Sequence, residues 1–169
     1  MNKTVEQLRQ ERLGAINEEL KDVKLKLAPP EFVEGVECLD VVEADIPEIK
    51  EQIKEMEKIV KAHSGLGLAA PQVGIAKKFY IAFIDGQYEL FCNAKFFRGN
   101  ASRNSHLEGC LTYPLLDHTM TKRWKEVVVH YDMIVNDKLV PMKKKFRGVE
   151  AFEHQHEIDH LNGETIYAK

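Results

Sequence analysis

The pentapeptide His156-Glu157-Ile158-Asp159-His160 limits what this chain can fold into more than any other stretch. Residues four apart share one face of a helix, one turn from each other. The two imidazoles of an H-E-x-x-H segment can meet one cation only if the segment is helical and that face looks inward. Glu157, beside the first histidine, is then placed to take a proton from a water held there. A surface helix with two incidental histidines carries the same five letters, so the rest of the chain must decide.

A catalytic metal site with one open position needs at least a third protein ligand. By residue type the candidates are Cys38, Cys92, Cys110, Glu153, His154, Asp159, Glu164 and the other histidines. Asp159 directly precedes His160 and so points off the shared face. Cys110 stands out for its neighbours: Gly109 lets backbone come close, and Pro114 stiffens the exit. A Cys-His-His set is borderline soft and suits zinc or ferrous iron. For any one cysteine taken alone, a buried free thiol is the plainer reading.

The remaining features constrain the setting. With 169 residues, 44% hydrophobic and 30% charged, the chain can bury one sizeable core and is not a disordered segment. A net charge of −3 gives no support to a nucleic-acid surface. The one basic cluster, Lys143-Lys144-Lys145 with Arg147, reads as a solvated strand or loop face. No apolar run approaches a membrane span, and the first residues lack the apolar core of a signal peptide. Three cysteines without such a signal point to a reducing, cytoplasmic compartment rather than a disulfide framework.

Periodicity predicts the elements. Residues 4–27 read as an amphipathic helix striped by Leu13, Ile16, Leu20, Val23 and Leu27, with Thr4 and Gln7 as a capping box. Residues 31–44 read as an extended connector. A second helix with Pro47 in its first turn carries Ile46, Ile49, Ile53, Met56 and Val60 and stops near His63-Ser64-Gly65. Gly65–Gly74 reads as a tight loop in which only Gln72 can both donate and accept. Two strands flank Asp85-Gly86 (Phe79–Ile84 and Tyr88–Cys92), and residues 98–106 read as loop. Trp124–Val135 and Leu139–Phe146 are strands joined by Asn136-Asp137. Gly148 opens the histidine helix, and Asn162-Gly163 closes it. We find no internal repeat.

Three separated segments resemble the motifs of peptide deformylases. They are Gly65-Leu66-Gly67-Leu68-Ala69-Ala70-Pro71-Gln72, Glu108-Gly109-Cys110-Leu111-Thr112, and Gln155-His156-Glu157-Ile158-Asp159-His160-Leu161-Asn162-Gly163. They occur in the family's order, and the likeness runs over about residues 36–167. The resemblance implies an α+β fold with antiparallel sheets around a central helix bearing H-E-x-x-H. It implies one divalent metal held by Cys110, His156 and His160. That metal would be ferrous iron in the cell, with zinc, nickel or cobalt able to take its place. Glu157 would be the general base and later the general acid. Gln72 and the Leu111 backbone N–H would stabilise the oxyanion. Gly67, with Leu66 and Gly109, would hold the substrate backbone. The reaction would be removal of the N-formyl group from formyl-methionyl nascent polypeptides, met at the ribosome, in the cytoplasm of a bacterium or a phage-infected host.

The chain also departs from that pattern. Thr112 stands where serine is usual. Tyr113 and Leu115-Leu116-Asp117 occupy a segment that often carries a substrate-contacting arginine. Arg123 is expected to pair with Glu108. Glu153, three residues before His156, replaces a small apolar residue of the methionine pocket, which puts side-chain preference at issue. Residues 1–30 form an N-terminal helical extension, residues 31–169 a single metallohydrolase domain, and the long C-terminal helix common in bacterial members is absent. A silent homologue that binds peptide or ribosome would be expected to lose a ligand, Glu157 or Gln72, and none is lost. An amidase with altered side-chain preference rests on Glu153 alone. A zincin-type protease would need its third ligand downstream, where Glu164 is the sole plausible group.

Overall fold

The structure is a computed structural model that describes residues 2–167. Among the described residues, four helices, α1 (Val5–Glu19), α2 (Pro30–Val33), α3 (Ile46–Ala62) and α4 (Gly148–Leu161), accompany seven strands. These are β1 (Gly67–Ala69), β2 (Phe79–Ile84), β3 (Gln87–Arg98), β4 (Arg103–Glu108), β5 (Thr119–Trp124), β6 (Glu126–Val135) and β7 (Lys138–Arg147). A five-stranded antiparallel sheet runs β1-β2-β3-β6-β7, and β4 pairs with β5 in a separate ribbon. The expected α+β class with antiparallel sheets packed on the histidine helix is what the chain adopts.

β2 explains why the sheet is covered on both sides. Side chains alternate along a strand, yet Phe-Tyr-Ile-Ala-Phe-Ile is apolar at every position. Phe79 and Ile81 pack with Ile49, Met56, Ile59 and Val60 of α3. Tyr80, Ala82 and Ile84 pack on the other side with Ala151, Ile158 and Leu161 of α4. α4 thus lies against the large sheet and touches β5 as well. The sheet is irregular at Asn93, which has positive φ at a break in the β3–β6 register. Its carboxamide holds both the N–H and the carbonyl of Val41 and reaches Asp132.

Local turn chemistry reads well from sequence. Asp85-Gly86 and Asn136-Asp137 both take positive φ, as two-residue hairpin turns require. Gly148 and Gly163 also have positive φ at the two ends of α4. Five expectations need correction. The N-terminal helix ends at Glu19, not near residue 27. Leu20 and Val23 are buried all the same, in a turn beyond the helix, where Lys26 Nζ donates to the Leu20 carbonyl at 2.8 Å. The connector at 31–44 includes α2 and a 3₁₀ turn, Glu43–Asp45. The Gly65–Gly74 loop contains β1 and a 3₁₀ turn, Ala70–Val73. Residues 103–106, read as loop, belong to β4. The strand read as Trp124–Val135 is two strands, β5 and β6, that part at Lys125.

Candidate active site

α4 carries His156, Glu157 and His160, all buried. Cys110 lies just past β4, in the turn opened by Gly109. Cys110 Sγ and one nitrogen from each of His156 and His160 lie within 4.8 Å of one another, and all three residues are buried. Sγ is 3.5 Å from His160 Nε2, and the two Nε2 atoms are 3.1 Å apart.

The partners of the imidazoles decide what these atoms are. His160 Nδ1 donates to the Glu164 carbonyl at 2.9 Å. A carbonyl only accepts, so the proton sits on Nδ1 and Nε2 of the neutral ring is a lone pair. His156 Nδ1 lies 2.9 Å from Glu108 Oε1, with the same consequence. Two lone pairs and a sulfur face each other in a buried corner, an arrangement that only positive charge satisfies. The ionisation tendencies show the same demand for positive charge. Burial opposes the Cys110 thiolate, but the contacts of its sulfur with His156 and His160 outweigh it and bring the thiol down to about 5. Burial also opposes a charged His156, and the Cys110 sulfur and Glu108 outweigh it, holding its pKa well above the ordinary value. The thiolate is the form that ligates metal. Donor chemistry and geometry therefore fit a divalent cation.

A layer of side chains behind His156 fixes it. Glu108 takes Arg123 Nε at 2.9 Å and Nη2 at 3.0 Å, and also accepts from the Thr121 hydroxyl. Burial works against that carboxylate, yet His156 and Arg123 hold it down to about 2. Arg123 Nη1 reaches Asp159 Oδ2 at 2.7 Å. Asp159 thus faces away from the histidines, as its position beside His160 implied, and the expected Arg123–Glu108 pair is present. Such outer partners orient metal ligands and fix their tautomers.

Facing the same corner, Glu157 is buried, and its Oε2 has no hydrogen-bond partner among the described residues. Burial, and next the neighbouring Glu153, push its carboxyl well above the usual range, against the pull of His156. Gln72, held in the 3₁₀ turn, accepts from the Ala69 N–H at 2.9 Å. Its Nε2 donates to Thr112 Oγ1 at 3.1 Å and lies 3.6 Å from Cys110 Sγ. The hydroxyl that Thr112 retains is therefore in use.

A cavity of about 430 Å³ opens onto these groups. Leu66, Gly67, Gly109 and Leu111 line it, as do Phe152 and Glu153. A side chain at Gly67 would run into the carboxylates of Glu153 and Glu157, and one at Gly109 would strike the His118 ring at 2.5 Å. The other candidate ligands fall elsewhere. Cys38 is half-buried away from this cavity. Cys92 is sealed in the core, where burial pushes its thiol up to about 12. His154 lies on the far side of α4 among Tyr80, Phe91 and Phe146, where burial and then Lys144 push it down to about 3. Glu164 contributes its backbone carbonyl, and its side chain is exposed. Sequence reasoning missed Arg9 and Arg12 of α1, which line the cavity together with His118. No local signal marks them, since only the tertiary path brings them there.

Comparison with known proteins agrees with this geometry. The family model described as polypeptide deformylase matches residues 34–169. The peptide deformylase of Treponema pallidum strain Nichols is 30% identical over 133 residues, covering 76% of this chain and 80% of that protein. Among solved structures, the peptide deformylase of Synechococcus elongatus in complex with actinonin superposes with a TM-score of 0.75. It shares 29% identity over 87% of this chain and 79% of its own. That of Thermotoga maritima gives a TM-score of 0.72 at 25% identity, over 85% and 95%. The chain belongs to the peptide deformylase family of metalloenzymes and is a hydrolase that removes the N-formyl group from nascent polypeptides.

Proposed function

We propose that Cys110, His156 and His160 hold one divalent cation and that Glu157 is the group that carries the proton. The observation behind this reading is the buried convergence of a thiol that favours its thiolate and two imidazole lone pairs on one point. When bound, such a cation supplies Lewis acidity, lowering the pKa of water and drawing electron density from a carbonyl. Ferrous iron is the ion we assign in the cell, with zinc, nickel or cobalt able to replace it.

The residues divide the remaining work. Glu157 accepts a proton from the attacking water, whose oxygen adds to the formyl carbon. The C–N bond then breaks, Glu157 returns the proton to the amine nitrogen, and formate leaves. A carboxyl held above its usual range is a stronger proton acceptor for this task. Gln72 Nε2 and the Leu111 backbone N–H donate to the oxyanion that develops on the formyl oxygen. Gly67, with Leu66 and Gly109, offers backbone to the peptide, since no side chain at Gly67 or Gly109 stands in the way. Residues 31–169 form the catalytic unit, and residues 1–30 are a helical segment added to it. The enzyme works in the cytoplasm on N-formylmethionyl chains, including those still on the ribosome.

Glu153 favours a refinement of this reading. Its carboxylate enters the cavity beside Gly67 and Glu157, so the pocket for the first side chain is more polar than a purely apolar one. The direct test uses protein loaded anaerobically with iron, given formyl-Met-Ala-Ser and assayed for free amine. Turnover is expected. No turnover with full metal content would remove the hydrolytic assignment and leave a peptide-binding homologue.

A further inference from the structure

The N-terminal helix borders the same cleft. Arg9, Arg12, Leu13 and Ile16 line the cavity that reaches Cys110, His156 and Glu157. Apolar burial seats α1 by one end only. Ile16, with Leu20 and Val23 just beyond the helix, joins the core that contains Met56 and Val60, while Val5 and Leu8 lie in solvent. Polar contacts set the path of the remaining turns. Arg9 donates to the Leu115 carbonyl at 3.2 Å and pairs with Asp117. The Tyr167 hydroxyl donates to the Asp117 carbonyl at 2.5 Å. This clasp ties α1 to the segment at 113–118, whose Tyr113, Pro114, Leu116 and His118 also line the cavity.

Arg12 lies three residues beyond Arg9, on the same side of the helix. Among the described residues it has no ion pair; its guanidinium donates to the Ser64 hydroxyl at 3.5 Å and lies close enough to His63 to oppose charge on that ring. A guanidinium carries five donors and no acceptor, so most of its capacity remains open toward the cleft. The other charges along the cavity are placed differently. Arg9 is committed to Asp117, Glu108 to Arg123 and His156, and Glu153 and Glu157 face Gly67 beside the catalytic corner. The formyl end of a substrate must occupy that corner. The chain that follows it has to share the rest of the cavity with α1.

We propose that α1 is a wall of the substrate cleft and that Arg12 selects formyl peptides with acidic side chains downstream of the first residue. The proposal rests on the deformylase reading of the site. Its test uses the full-length, metal-loaded protein and two peptides, formyl-Met-Ala-Glu-Glu-Ser and formyl-Met-Ala-Lys-Lys-Ser. Two adjacent charged positions make the result independent of which one faces the helix. The wild type is expected to favour the acidic peptide by about two- to fivefold in kcat/KM, through KM, as an exposed ion pair would give. The preference should shrink as salt is raised. Arg12→Glu should reverse it, and calorimetric binding of the product peptide Met-Ala-Glu-Glu-Ser should weaken in parallel. Formyl-Met methylamide, which has no downstream residue, should be hydrolysed equally by both proteins. An unchanged preference in Arg12→Glu overturns the proposal. So does loss of methylamide turnover, which would make α1 a structural strut. A wild type that hydrolyses none of the three peptides removes the deformylase reading, and the proposal with it.

Discussion

The two helices that border the cleft are held in opposite ways. α4 buries nine of its fourteen residues, and they fall on every side. α1 buries one of fifteen, Ile16. An element enclosed all round leaves its side chains little rotational choice, so polar groups on it can be aimed. His156 is aimed by Glu108, His160 by the Glu164 carbonyl, and Gln155 is locked to the backbone of Trp124 through both ends of its carboxamide. An element held by one apolar end and one ionic clasp keeps its guanidinium groups adjustable. Bond-making chemistry needs the first kind of support, whereas contact with peptides of varied sequence tolerates the second.

The largest effect should come from the least adjustable group. Glu157→Gln keeps size and burial but removes the proton acceptor. We expect kcat to fall by roughly 10²–10⁴-fold while the metal content of the protein is unchanged. A variant that turned over formyl-Met-Ala-Ser at the wild-type rate would contradict the assigned role.

Next is the layer behind the histidine. Glu108→Ala strips His156 of its Nδ1 acceptor and leaves Arg123, which is 3% exposed, with only Asp159. Metal affinity, measured by chelator competition, should drop about 10- to 100-fold. Urea unfolding should show a loss of about 3–5 kcal/mol from the broken buried pair and the guanidinium donors it leaves without an acceptor. The matching change on the other helix, Arg9→Ala, breaks an exposed pair and should cost at most about 1 kcal/mol. Equal losses in the two variants would erase the distinction between the helices.

Selectivity comes third. The Glu153 carboxylate shares the pocket with Phe152 and Leu66, and an apolar methionine side chain laid against it strips water from the charge. Glu153→Ala should raise the ratio of kcat/KM for formyl-Met-Ala-Ser over formyl-Lys-Ala-Ser by roughly tenfold. An unchanged ratio would place the carboxylate outside the contact with the first side chain.

The same contrast explains which parts of the molecule could be read from sequence. Chemistry that is local in the chain was legible. The i,i+4 histidines, the glycine beside Cys110, the Thr4–Gln7 capping box and the two hairpin turns each follow from a few adjacent residues. What depends on distant partners was not. β4 is Arg-Asn-Ser-His-Leu-Glu, with four polar residues leading, and it pairs only with β5 in a two-stranded ribbon. Its composition therefore matches a loop. The stripe from Leu13 to Leu27 looked like one long helix because Leu20 and Val23 are buried. The chain turns after Glu19 and still delivers them to the core, and periodicity does not distinguish the two routes. Nothing near Arg9 or Arg12 announces a cleft formed by residues fifty to one hundred and fifty positions later.

The smallest effect is a null result that the comparison demands. Leu8 is a large apolar residue on α1, and on a helix docked along its length it would be core. Here it is 52% exposed, so Leu8→Ser gives up little buried surface and keeps a residue that a helix tolerates. We expect a change in unfolding free energy within about 0.5 kcal/mol. Ile158→Ala on α4, a residue 2% exposed between the strands, should cost about 2–5 kcal/mol by opening a cavity. Urea titrations of both variants at two protein concentrations separate the possible causes. A loss above about 1 kcal/mol for Leu8→Ser that grows with protein concentration would mean that a second copy covers the outer half of α1. The same loss without concentration dependence would mean that the helix packs along its whole length. Arg12 would then be fixed as firmly as the histidines, and the distinction between aimed and adjustable groups would no longer separate the two walls of the cleft.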